Sequence, residues 1–302
     1  MNIGILTRKV LNPGYHEVRL METAAKKGHT VKLIDHGRCY VEIEQDKPQV
    51  RYEGEAITDI DAIIPRIGAS MTTYGTAIVR QFEMIGTYTT ARSIAITRSR
   101  DKLRSLQLLS KAGVGIPRTI FSRETKALDD VIDRIGLPMI IKLAIGTQGH
   151  GVVLAETRKA AKSVMQAFYV NETSFLIQEF IKEAEGTDIR AIVVGNKVVA
   201  SMMRQNLTDD FRSNIHQGGK GMAIKLTEEE KKVALRAAKA MGLTICGVDM
   251  VRSDRGPLVL EVNSSPGFEG IEQATKRDVA SKIIEYIELN AKRRSKKDKV
   301  GA

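Results

Sequence analysis

The stretch Gly247–Gly267 reads G-V-D-M-V-R-S-D-R-G-P-L-V-L-E-V-N-S-S-P-G. Two apolar runs flank Ser253-Asp254-Arg255-Gly256, the pattern of a β-hairpin. Strand side chains alternate faces, so Glu261 and Asn263 point the same way. Folding about the turn brings Asp249 opposite Glu261, within one residue of register. Two carboxylates and an amide oxygen then converge in an otherwise apolar hairpin. Unpaired buried carboxylates are costly, so this set needs a counter-ion. All-oxygen donors suit Mg²⁺ or Mn²⁺ and suit zinc poorly. Hard cations held by few carboxylates share their coordination with substrate phosphates, which makes the hairpin a candidate site for nucleotide chemistry.

The chain has 302 residues, enough for two or three domains with substantial cores. An apolar fraction of 42% and a charged fraction of 27% are those of an ordinary globular protein. The start M-N-I-G-I-L-T turns polar too quickly for a signal peptide, and no apolar run approaches ~20 residues. A soluble cytoplasmic protein without membrane contact is expected. Cys39 and Cys246 each lie near an apolar strand and read as buried thiols in a reducing compartment. The five histidines lack ligand spacing, so zinc is not expected. The net charge of +11 is partly concentrated in Lys292-Arg293-Arg294-Ser295-Lys296-Lys297-Asp298-Lys299. Such a run is either a solvated end or an electrostatic handle for an acidic partner. No aromatic-rich nucleic-acid module accompanies it, so nucleic acid is not expected as a direct substrate.

Strand and helix signals alternate from residue 1 to about 95. Ile3–Leu6, Val31–Ile34 and Asp61–Ile64 read as strands, Tyr15–Lys27 and Thr72–Ile85 as helices, with an antiparallel excursion over Tyr40–Ile57. That order predicts a parallel sheet. Residues 96–175 read as a small α+β module. It contains a helix after Asp101, strands near Thr119–Phe121, Pro138–Leu143 and Val152–Ala155, and helices over Leu128–Ile135 and through Met165. Residues 176–290 carry the strand Phe175–Gln178, a hairpin over Ile189–Met203, a helix opened by the capping box at Thr227, the carboxylate hairpin and a helix from Val279. Residues 291–302 form the basic tail, expected to be disordered.

Three further clusters carry chemistry. Gly146-Thr147-Gln148-Gly149-His150-Gly151 lies between two strands and is neither a Walker A loop nor a Rossmann fingerprint. Its glycines allow backbone amides to approach phosphate oxygens. Lys142 stands four residues earlier on a strand that is otherwise wholly apolar, and a lysine there is expected to need an anion. Glu179 and Phe180 end a strand, where backbone carbonyl and amide suit an adenine edge, and Asp188 suits ribose hydroxyls. Phe211-Arg212-Ser213-Asn214 lies in a segment that ends Gly218-Gly219 and reads as a lid.

These motifs together resemble the ATP-grasp fold, and closely the RimK family of ATP-dependent α-L-glutamate ligases. The resemblance rests on Pro65-Arg66-Ile67-Gly68, Arg100-Asp101-Lys102, Ile141-Lys142-Leu143 with the glycine loop, Gln178-Glu179-Phe180-Ile181, Asp188-Ile189-Arg190, Phe211-Arg212-Ser213-Asn214, Gly247-Val248-Asp249 and Glu261-Val262-Asn263-Ser264-Ser265-Pro266-Gly267. It implies an α/β chain, α+β in its catalytic part, with a Rossmann-like N-terminal domain before the ATP-grasp. By residue, it implies that Lys102 and Lys142 hold ATP phosphates, Glu179 and Phe180 the adenine, and Asp188 the ribose. Arg212, Ser213 and Asn214 would complete the nucleotide pocket, and Asp249, Glu261 and Asn263 would hold two Mg or Mn ions. Lys142 and Arg212 would act on the transferring phosphoryl group. Arg66 and Arg204 are expected on substrate carboxylates, as arginine binds these bidentately, with a structural ion pair as the equal alternative for either. The implied partners are L-glutamate and, as acceptor, the C-terminus of the sixth small-subunit ribosomal protein, with untemplated poly-α-glutamate as a related product and a homo-oligomer as the assembly. A related ligase acting on a carrier protein or small cofactor, and a non-catalytic ATP-binding module, are the alternatives.

Overall fold

The computed structural model describes residues 1–122, 128–143, 151–170, 174–205 and 220–291. The N-terminal strands pair in parallel in the order Thr30–Ile34, Asn2–Leu6, Ala62–Pro65, Tyr88–Thr89. Helices Tyr15–Lys26 and Thr72–Met84 connect them, as the alternating pattern predicts. The excursion after the second strand is a three-stranded antiparallel sheet over Cys39–Glu42, Gln49–Tyr52 and Glu55–Ala56.

A second sheet is antiparallel, in the order Val152–Ala155, Met139–Leu143, Phe175–Glu179, Thr119–Ser122. Helices Leu128–Ile135 and Arg158–Val170 close a core with it around Ile132, Met139, Ile141, Met165, Phe175 and Ile177. The third sheet has five antiparallel strands: Lys220–Ala223, Lys197–Gln205, Thr187–Val194, Ile245–Val251 and Leu258–Asn263.

The five-stranded sheet is covered on both sides, so every residue of Ile245–Val251 is buried. One face, with Ile189, Ala191, Val248 and Met250, joins a core that includes Phe82 and the helix Glu228–Met241. The apolar end of the other face, with Ile192, Val194 and Ile245, packs with Ile3, Ile5 and the helix Val279–Ala291. Cys39 and Cys246 are free and buried in this body, and burial pushes both thiols up to about 12.

Local signals explain the boundaries. Thr227 Oγ1 accepts from Glu230 N while Glu230 Oε2 accepts from Thr227 N, closing the capping box. Gly242 ends that helix at φ +75, a left-handed conformation in which a Cβ is costly. Asp101 Oδ1 accepts from Arg104 N at 2.9 Å and caps the helix Lys102–Lys111. Two helices lay outside the sequence expectation. Ser93–Arg100 buries Ser93, Ala95 and Ile96, too few large apolar residues to draw a 3.6-residue stripe, and the expected domain boundary at 95/96 falls within it. Glu269–Thr275 is only seven residues long.

Candidate active site

The hairpin forms in the anticipated register: Asp249 is the partner of Glu261, and Gly247 of Asn263, with an irregularity just after Asp249. Its turn relies on Gly256 at φ +91, whose carbonyl accepts from Ser253 Oγ at 2.7 Å. The neighbouring strands extend the row. Arg190 pairs with Asp249 across one ladder, and Asp188 with Arg204 across the next. Period-two alternation therefore puts Asp188, Arg190, Arg204, Asp249, Glu261 and Asn263 on one face of one sheet. These six side chains lie toward one end of the face, and Ile192, Val194 and Ile245 occupy the end that packs with the Val279–Ala291 helix.

Asp249 is buried, and both its oxygens accept from Arg190: Nε to Oδ1 at 2.7 Å and Nη2 to Oδ2 at 2.5 Å. Arg204 Nη2 donates to the same Oδ2 at 2.9 Å. Burial alone raises a carboxyl pKa, but Arg190 and Arg204 outweigh it and hold Asp249 far below the usual range. Asp249 is thus an anion at any working pH. Asn263 Nδ2 donates to Glu261 Oε1 at 3.0 Å, and Glu261 is exposed to the cleft.

Three cations face this carboxylate from other elements. Lys142 Nζ donates to Gln178 Oε1 at 2.6 Å, and Gln178 Nε2 donates in turn to Thr119 Oγ1 at 2.9 Å. Lys102 Nζ donates to the Leu143 carbonyl at 2.8 Å, and Arg100 Nη2 to the Ile67 carbonyl at 2.7 Å. Burial lowers the pKa of all three, and Glu261 pulls each the other way. For Lys142 the outcome is about 8, with Lys102 adding repulsion. One exposed carboxylate does not neutralise three desolvated cations, so the cleft is built for a further anion.

Among the described residues, no three His, Cys, Asp or Glu side chains cluster as a metal site. The candidate set is two carboxylates and an amide, which hold a hard cation when ligand oxygens complete the shell. The donor chemistry and the ionised Asp249 fit Mg²⁺ or Mn²⁺.

Other anticipated residues are partly committed. Glu179 N donates to the Arg118 carbonyl at 3.0 Å, and Glu179 Oε1 accepts from Arg118 N at 2.6 Å and from Arg255. The Glu179 amide is therefore not available to an adenine, and an amide for that edge has to come from Phe180, which is half-buried. Asp188 is buried with each oxygen accepting from Arg204, so a ribose hydroxyl would use its second lone pairs. Arg204, expected on a substrate carboxylate, is instead 3% exposed and taken by Asp188 and Asp249. It orients the chain's own acids. Arg66 Nη1 donates to the Pro266 carbonyl at 2.8 Å and its Nε lies 3.9 Å from Glu17 Oε1, tying the parallel sheet to the exit of the hairpin. Arg212, Ser213, Asn214, the loop Gly146–His150 and the basic tail lie outside the described residues.

Arg190, Arg100 and Gln178 had no assigned role in the sequence. For Arg190 a signal existed, because it is two residues from Asp188 on a strand and so must share its face. Gln178 and Arg100 had none, since their roles depend on a neighbouring sheet and on a helix end.

The comparisons agree with this geometry. Residues 1–96 match the RimK PreATP-grasp domain and residues 99–287 the RimK-like ATP-grasp domain. A "Probable alpha-L-glutamate ligase" of Aliivibrio fischeri is 56% identical over 292 residues, 96% of each chain. One of Hydrogenovibrio crunogenus is 56% identical over 293 residues, 97% of each. Among solved structures, the ATP-grasp ligase PsnB complexed with minimal precursor, Mg and ADP superposes with a TM-score of 0.75 at 20% identity, over 96% of this chain and 98% of that one. That likeness establishes the shared fold, and the two domain matches together with the close relatives put the chain in the RimK family of ATP-grasp ligases.

Proposed function

We propose that this chain is an α-L-glutamate ligase that uses ATP to join a carboxylate to the amine of L-glutamate, with the C-terminus of the sixth small-subunit ribosomal protein as acceptor and poly-α-glutamate as a related product. The observation that carries the reading is the meeting of an ionised carboxylate face, Asp249 and Glu261 with Asn263, and a desolvated cationic face, Lys142, Lys102 and Arg100. A polyphosphate carrying divalent cations would satisfy both, its oxygens meeting the cationic face and its metal ions the carboxylates.

In this reading the acceptor carboxylate attacks the γ-phosphorus of ATP, ADP leaves, and the resulting acylphosphate is attacked by the amine of glutamate with loss of phosphate. Asp249, Glu261 and Asn263 would hold two Mg or Mn ions, which would supply charge neutralisation at the phosphate oxygens. Lys102 and Lys142 supply fixed positive charge to the phosphates, and the hydrogen bonds to Leu143 O and Gln178 aim their ammonium groups. The Glu179 carbonyl and the Phe180 amide receive the adenine edge, and Asp188 the ribose. Arg212, Ser213 and Asn214 are assigned to the nucleotide, and Arg212 to the transferring phosphoryl group, by the family motif they match. Arg66, whose Nε makes no hydrogen bond among the described residues and lies in a long ion pair with Glu17, is the substrate-carboxylate candidate on the N-terminal side.

The test is ADP release in the presence of glutamate, with and without a peptide of the ribosomal protein's C-terminus, read together with the peptide mass. Glutamyl mass increments are expected. Nucleotide binding with no acid-dependent turnover would remove the ligase reading.

A further inference from the structure

Arg190 engages Asp249 through both carboxylate oxygens, and its side-chain hydrogen bonds among the described residues go to that one acid. Asp249 is also the most buried of the three candidate metal donors. A divalent cation that takes an Asp249 oxygen therefore meets the Arg190 guanidinium already there. Arg204 is differently placed, because Asp188 holds it bidentately whatever happens at Asp249. Exposure separates the two arginines as well: the Arg190 side chain is 18% exposed, that of Arg204 4%.

Charge decides which side chain yields. Without metal, Asp188, Asp249, Arg190 and Arg204 balance: two anions, two cations. A divalent ion at Asp249 and Glu261 brings two positive charges next to a guanidinium in a partly desolvated site, where like charges repel strongly. Arg204 keeps its paired hydrogen bonds to a second carboxylate, Asp188, whereas Arg190 meets Asp188 through longer-range attraction without a hydrogen bond. We infer that Arg190 is a placeholder cation: it neutralises Asp249 before metal loading, and on loading it turns into the cleft to hold the carboxylate of an acidic acceptor. Arginine suits that second task because its planar fork matches a carboxylate. Metal loading and acceptor binding are then positively coupled, and by linkage each strengthens the other equally. The acceptor half of this inference rests on the proposed ligase reading, whereas the competition for Asp249 does not.

The experiment uses the full chain without nucleotide. Free Mn²⁺ is measured by electron paramagnetic resonance during titration of wild type, Arg190→Gln and Arg190→Lys. Removing the competing cation tightens Mn²⁺ binding of Arg190→Gln by about tenfold, within the range of typical coupling energies, while Arg190→Lys retains the charge and stays near wild type. In parallel, anisotropy of a labelled peptide ending in glutamates is followed with and without Mg²⁺. Wild type gains about tenfold in peptide affinity with Mg²⁺, and Arg190→Gln loses that gain. Unchanged or weaker Mn²⁺ binding by Arg190→Gln overturns the placeholder role. Should that variant not fold, wild-type peptide affinity that ignores Mg²⁺ overturns it equally. A peptide that never binds removes the acceptor assignment alone, and the Mn²⁺ titration still decides the competition.

Discussion

The sheet that carries Lys142 and the sheet that carries Asp249 are anchored in opposite ways. The first closes its own core: all of Leu128, Ile132, Met139, Ile141, Met165, Phe175 and Ile177 come from one stretch of chain and its two helices. The second has no core of its own. Its two faces are shared, one with Phe82 and Ile63 of the N-terminal part, the other with Ile3, Leu20 and Ile283. A self-contained lobe exchanges few contacts when it shifts, whereas a strand buried on both faces is fixed by its neighbours. The acids therefore sit on the rigid body and Lys142 on a lobe able to move as a unit, an arrangement suited to closing over a nucleotide.

The comparison breaks most visibly in the cores. Phe82→Ala and Phe175→Ala each remove a fully buried ring and cost about 3–5 kcal/mol. Hydrogen exchange read by mass spectrometry should show Phe175→Ala loosening residues 128–179 alone. Phe82→Ala should loosen the parallel and five-stranded sheets together. Equal loosening of the whole chain by both variants would erase the distinction.

A smaller effect sharpens the electrostatic half of the comparison. Lys142 is a base whose pKa is lowered from 10.5 to about 8, so its ammonium charge is lost as pH rises through that region. Nucleotide affinity measured calorimetrically should be flat below pH 7.5 and fall as pH passes about 8. A bound phosphate favours the charged form, so binding takes up protons there. Because the unfolded chain binds more protons than the folded one between about 8 and 10.5, this group makes the ligand-free protein gain stability with pH across the same window. Lys142→Arg should abolish the inflection in affinity. The smallest effect belongs to Arg255, which is half-exposed and pairs with Glu179 between the lobe and the hairpin turn. Arg255→Ala should change stability by less than about 1 kcal/mol in a denaturant titration, as exposed ion pairs do.

Much of this architecture was legible in the residues. Apolar alternation around Ser253–Gly256 specified the Asp249–Glu261 register, and the capping box at Thr227 marked a helix start to the residue. A lysine on an otherwise apolar strand singled out Lys142, which the structure buries in the electrostatic reach of Glu261 and Lys102. What was not legible depends on neighbours distant in sequence. That Arg204 is spent on Asp188 and Asp249 follows from the strand Thr187–Val194 pairing on both sides, which brings side chains 45 residues apart into contact across it, and Arg66 is turned toward Pro266 by a contact 200 residues away. The helix Ser93–Arg100, which delivers Arg100, buries small residues and so leaves little periodic trace.

The central claim, that the carboxylate face binds metal for phosphoryl transfer, is tested most directly by Glu261→Gln. Glu261 is exposed, and its substitution leaves the core untouched. The account predicts that ADP release falls by about 10³-fold or more, the loss typical when a main electrostatic contributor is removed, with an unchanged melting temperature. Near-normal metal-dependent turnover by Glu261→Gln would contradict it.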